Sequence, residues 1–188
     1  LQAAGIKKGA MYHHFPGKDD LGLAVLERLR DDFLGFLDST LDPAKPLASL
    51  DRFFAGALRM HRDTGFVGGC IWGNTALEMS DSDAPHIDVV KWMFNEWIGR
   101  VERTIRSGQE LGEIRRDLPS AKLACMIVSG IEGGIMLSRL TKQEGPLRTC
   151  VESLRALVVP QENSSTARSR AGALSREADL KKRRRKKQ

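Results

Sequence analysis

Residues 4–18 read Ala4-Gly5-Ile6-Lys7-Lys8-Gly9-Ala10-Met11-Tyr12-His13-His14-Phe15-Pro16-Gly17-Lys18, and their reading decides how the rest of the chain is understood. Gly5 suits a turn between two helices, where the backbone can need a positive φ. The segment behind it carries lysines, a tyrosine and two histidines but no acid, and Pro16-Gly17 ends it. That pattern fits a DNA recognition helix delivered by a tight turn. Lys7 and Lys8 lie at the end that meets base edges and phosphates, and Gly9 removes a side chain where the helix approaches the groove. Tyr12, His13 or His14, and Lys18 are placed to donate to phosphate oxygens. Adjacent histidines on a helix point to different faces, so a shared metal is not expected and surface packing stays open as their role. Only Leu1 to Ala4 precede the turn, whereas a helix-turn-helix needs a supporting helix before its recognition helix. The expectation is a chain missing its first helix and most of its second, with residues 1–16 less ordered than the rest.

The composition agrees with a folded body and a basic end. The chain has 188 residues, 41% of them hydrophobic, enough to bury a core in one or two modest domains. Residues 181–188, KKRRRKKQ, hold seven of the 30 basic residues, and without them the formal charge drops from +6 to −1. The basicity therefore belongs to a tail. It can bind nucleic acid nonspecifically through counterion release, and can dominate any DNA affinity of this chain, or it is a plain solubilising end. Cys70, Cys125 and Cys150 are odd in number and far apart, so neither a disulfide framework nor a zinc site is expected, and a reducing cytoplasm fits. No apolar run reaches the roughly 18 residues of a membrane span, and no membrane partner is expected.

Helical periodicity dominates from residue 19 onward. Asp19 and Asp20 favour a helix start, and Leu26, Leu29, Phe33, Phe36 and Leu37 follow at helical spacing until Asp42-Pro43 breaks the helix. A second helix carries Leu47, Leu50, Phe54, Leu58 and His61. After the glycine-rich turn Gly65–Gly69, a shorter one runs from Ile71 to Met79. Ser80-Asp81-Ser82-Asp83 breaks the chain and caps a long helix striped by Val90, Phe94, Trp97, Val101 and Ile105. Leu118-Pro119-Ser120 and Gly145-Pro146 open the last two, and Pro160 stops them. The fold class is all-α. The expected division is a helix-turn-helix remnant at 1–18, a connecting helix at 19–41, a ligand-binding and dimerisation domain at 46–160, and a disordered basic tail at 161–188.

The pattern Ala4-Gly5-Ile6, Gly9, Met11-Tyr12, His14-Phe15 and Lys18, followed by acids and an apolar helix, resembles the tetracycline-repressor (TetR) family of bacterial transcription regulators. A second block, Gly69-Cys70-Ile71-Trp72-Gly73-Asn74-Thr75-Ala76-Leu77-Glu78, looks like the ligand-domain segment of one branch of it. The resemblance makes Tyr12, His14 and Lys18 phosphate contacts and Lys7, Lys8 and Ala10 the groove-facing set, with Ile6, Met11 and Phe15 packing the small domain. It implies a homodimer on double-stranded operator DNA, repressing more often than activating, controlled by a small apolar or amphipathic effector. The alternative is a ligand-binding and dimerisation module that has lost operator recognition.

Phe54, His61, Trp72, Asn74, Trp92, Trp97 and Met126 are the leading effector-site candidates, with Met60, Phe66, Leu77 and Met93 beside them. Large adaptable side chains suit such a pocket, and His61 and Asn74 offer its polar contacts. Gly130, Gly133 and Gly134 lie in one helix, where each costs roughly 0.5 to 1 kcal/mol against alanine, which argues for close approach of a partner helix or of a ligand. A flexible point is the other reading. With Leu147, Val151 and Leu154 these glycines form the expected dimer interface. Cys70 is either a reactive or a buried thiol. No nucleophile elbow, phosphate loop or metal pair is present, so neither an enzyme nor a cofactor is expected.

Overall fold

The computed structural model describes residue 5 and residues 8–81 and 86–160, Lys8 through its backbone alone. The expectations placed on Leu1 to Ala4, Ile6, Lys7, the Lys8 side chain, the Ser82-Asp83 cap and the tail 161–188 lie outside the described residues. Within them the protein is all-helical: α1 (Lys8–Met11), α2 (Lys18–Thr40), α3 (Pro46–Asp63), α4 (Ile71–Met79), α5 (His86–Leu111), α6 (Ser120–Thr141) and α7 (Gly145–Val158).

Each boundary has a local cause. Asp19 and Asp20 fill the first turn of α2, and Pro46 opens α3 where its missing N–H costs nothing. Gly112 ends α5 with φ +77°, which lets the Glu113 and Ile114 amides donate back to the Gly108 carbonyl at 2.9 and 3.0 Å. Gln109 Nε2 then donates to the carbonyls of Arg115 and Leu118, holding the loop into α6.

α5 is the hub, packing against α2, α3, α4 and α6. Its buried stripe, Val90, Met93, Trp97, Val101 and Ile105, recurs every three or four residues, the spacing of one helix face. Phe33 of α2 meets Trp97 edge-on at 5.2 Å and lies 6.2 Å from Trp72 of α4, and Phe53 of α3 closes on Trp97 at 6.2 Å. Such aromatic pairs contribute about 0.5–1.5 kcal/mol each beyond the area they bury. They fasten α2, the helix that follows the basic segment, to the body.

α6 packs on α5 through one side and α7 through another. Contrary to the sequence expectation, it is long and apolar enough to pass for a bilayer-crossing helix, although 44% of its apolar window is buried inside the protein. Leu123, Ile127, Ile131 and Ile135 are buried, while Met136, Leu137 and Leu140 are exposed. Two apolar faces on one helix account for that composition.

Candidate functional site

The described side chains of the segment are mostly exposed. Gly5 takes φ +64°, the left-handed turn expected of it. Met11 is buried and Phe15 half-buried, whereas Ala10, Tyr12, His13, His14 and Lys18 are exposed. The amides of His14 and Phe15 donate to the Met11 carbonyl at 3.0 and 2.9 Å, winding residues 12–14 into a turn that delivers the chain to α2. Tyr12, His14 and Lys18 are thus each open to solvent among the described residues.

α2 ties that segment to the body through contacts with α5. His86, the first residue of α5, is buried, and its Nε2 lies 2.8 Å from the Asp19 carbonyl. Arg100 of α5 donates to Asp38 near the other end of α2 at 2.8 Å, and Arg30 lies over the ring of Trp92.

A cavity of about 530 Å³ opens between α4, α5 and α6. That is ample for a small organic molecule. Its walls are mostly apolar: Ala76 and Leu77 of α4, Phe94 and Ile98 of α5, Val128, Ile135 and Met136 of α6. Its polar groups are Cys70, Asn74, Ser129, Glu132 and Arg139. Asn74 Nδ2 donates to the Gly68 carbonyl at 2.6 Å, and its Oδ1 accepts from Arg139 at 2.7 Å. Glu132 is the only acid in α6. Burial pushes its carboxyl above the usual carboxylate range, and one of its oxygens is buried without a hydrogen-bond partner. Burial and the neighbouring Glu132 push the Cys70 thiol far up, so the inert reading of this cysteine is the one its surroundings favour.

A second cavity, about 270 Å³, lies deeper among Phe33, Phe36, Phe53, His61, Trp72 and Trp97. It shares Gly69, Cys70 and Ile135 with the first. Burial lowers the pKa of His61, which favours the neutral imidazole.

The seven leading effector-site residues are therefore dispersed. Asn74 borders the larger cavity, and His61, Trp72 and Trp97 the smaller one. Phe54 packs in the core with 2% exposure and lines neither. Trp92 is 44% exposed beneath Arg30, and Met126 lies on the outer side of α6. Size and helical spacing pick out large side chains but not the side of the helix they occupy. Glu132, Arg139 and Phe94 were not anticipated; the signal for Glu132 was a lone acid between Ile131 and Gly133 in an apolar helix.

The three glycines of α6 differ in what they face. A Cβ on Gly130 would stand 3.1 Å from Leu154, and one on Gly134 would stand 3.2 Å from the Leu147 backbone, so both face α7 of the same chain. Gly133 lines the larger cavity, with open space where a side chain would go. Leu147, Val151 and Leu154 are buried within the protomer against α6 rather than offered to a second copy. The outward side of α6, with Cys125, Met126, Met136, Leu137 and Leu140, carries the exposed apolar surface instead. Among the described residues no group of three or more His, Cys, Asp or Glu side chains can hold a metal ion.

Comparison with known proteins agrees with this geometry. Residues 46–154 match the family described as "Tetracyclin repressor-like, C-terminal domain", and residues 1–25 match "Bacterial regulatory proteins, tetR family". The chain is 32% identical to the HTH-type transcriptional repressor DhaR of Mycobacterium sp. (strain GP1), over 77% of this chain and 72% of that protein. It is 31% identical to the transcriptional regulator AcuR of Cereibacter sphaeroides, over 79% and 69%. A crystal structure of a TetR regulatory protein from Rhodobacter sphaeroides superposes with a TM-score of 0.78 at 31% identity, covering 85% of each chain. The outward basic segment, the helical body and these matches together make the chain a member of the TetR family of transcriptional regulators.

Proposed function

We propose that the protein is a cytoplasmic homodimeric repressor whose grip on operator DNA is relaxed by a small apolar or amphipathic effector in the α4–α5–α6 cavity. The observation that carries this reading is the position of α4 between cavity and head. Gly73, Asn74, Ala76 and Leu77 border the cavity, while Ile71, Thr75 and Glu78 border a cleft shared with Gly22, Val25 and Leu26 of α2. Trp72 of α4 also lies 6.2 Å from Phe33 of α2, so a ligand that shifts α4 bears on the helix that carries the basic segment. A small displacement there becomes a change in separation between two heads, and half-sites about one helical turn apart, roughly 34–36 Å, tolerate little change.

The dimer is assigned to the outward apolar side of α6, where Met136, Leu137 and Leu140 would otherwise stay in water. The chain's similarity to DhaR, a transcriptional repressor, supports repression.

Thermal-shift screening of small apolar compounds, followed by titration of DNA duplexes selected by the protein from a random pool, tests the reading. Compounds that raise the melting temperature are expected to weaken duplex binding, and filling the cavity with Gly133→Leu should remove both effects. Ligands that stabilise the protein and leave DNA binding unchanged would refute it.

A further inference from the structure

Resting on the effector reading above, we propose that the larger cavity takes an amine: a compact apolar body bearing a primary or secondary nitrogen, which Glu132 holds as an ion pair.

The polar groups of the cavity are unequally engaged. Both ends of the Asn74 amide are taken, by the Gly68 carbonyl and by Arg139, and that bond ties up part of the Arg139 guanidinium. Glu132 differs. The Cys70 thiol donates to its carboxyl, yet Oε1 is buried with no partner, and no cation among the described residues pairs with it. Gly73 on the facing helix makes room for it, since a Cβ at that position would overlap Oε2. A buried carboxyl with an unused acceptor, accommodated by a glycine at the wall of an apolar cavity, is placed for a ligand that donates.

The chemistry narrows the class. A hydrocarbon leaves the oxygen without a donor, and a carboxylate brings a second negative charge against it. An ammonium group supplies both donor and opposite charge. The titratable groups facing Glu132 are the Cys70 thiol from the turn before α4 and Arg139 from α6 itself, while α5 offers only Phe94 and Ile98. Burial raises the pKa of this carboxyl, and an ammonium bound beside it would favour the carboxylate again.

Calorimetry of the 188-residue chain with phenylbutylamine, phenylbutanol and phenylbutanoate near neutral pH tests this. The amine is expected to bind at least about tenfold more tightly than the carboxylate. Glu132→Gln should cost the amine about tenfold and leave the alcohol nearly unchanged. A carboxylate that binds as well as the amine, an amine that fails to bind, or a glutamine variant that keeps the amine's affinity would overturn the proposal. The wild-type comparison decides even where the variant folds poorly. Gly133→Leu separates the two levels of the argument. Loss of all binding in that variant together with carboxylate preference in the wild type sinks the amine and spares the effector cavity, whereas binding insensitive to Gly133→Leu sinks the cavity itself.

Discussion

His86 at the start of α5 and Asp19 in the first turn of α2 are joined by a 2.8 Å contact between imidazole Nε2 and backbone carbonyl, 67 residues apart in sequence. Gly22, one turn along α2, leaves room for the ring: a Cβ there would stand 2.8 Å from the same nitrogen. The head end of α2 is thereby docked on the body by a side chain whose seat depends on a missing one. Gly22→Ala should push the imidazole out, and His86→Ala should remove the contact. Each is expected to cost about 1–2 kcal/mol in chemical denaturation and to speed amide exchange in residues 18–25 relative to α6. Uniform exchange in both variants would show that the contact does not dock α2.

Neighbouring glycines of α6 should respond in opposite directions. Gly134→Val drives methyls into the Leu147 backbone and Cys150, forcing α6 and α7 apart, and should destabilise by about 1–3 kcal/mol. Gly133→Ala meets nothing within 4 Å and should stabilise by about 0.5–1 kcal/mol. Urea denaturation of the two variants measures both, and a destabilising Gly133→Ala would contradict the assignment of this residue to open cavity wall.

Glu144 joins the end of α3 to the start of α7. It accepts from Arg62 Nε at 2.6 Å and from Arg148 at 2.6 Å, and these guanidinium groups pull its pKa down to about 2 from an ordinary 4.5. A depressed folded pKa means the contribution is fully present above about pH 4.5 and is lost as pH falls toward 2. The melting-temperature gap between wild type and Glu144→Gln should therefore be constant near neutrality and close on acidification through that window. A gap that persists at the acid end would contradict the ion-pair account. Because both guanidinium groups are solvent-exposed, the gap should also shrink in high salt.

The helices were legible because their signals are local. Pro46, Pro119-Ser120 and Gly145-Pro146 mark starts, and the stripe from Val90 to Ile105 repeats at one face's spacing whatever surrounds it. The basic segment was legible for the same reason: Gly5 through Lys18 are consecutive and their residue types are specific. The cavity was not, because it exists only where α4, α5 and α6 meet. Nothing near Trp92 in sequence says that it faces Arg30 and solvent, and nothing near Leu147 says that Gly134 receives it. Glu132 looks like any surface acid until Gly73, 59 positions earlier, is seen making room for it.

The central claim is that α1 and the turn after it meet duplex DNA. Fluorescence anisotropy on a duplex selected from a random pool, using the chain shortened to residue 180 so that KKRRRKKQ contributes nothing, tests it most directly. Wild type should bind the selected duplex more tightly than a scrambled one, Tyr12→Phe should weaken that preference, and Lys18→Ala should reduce the slope of log affinity against log salt by about one. Affinity, preference and salt slope all unchanged in both variants would contradict the account.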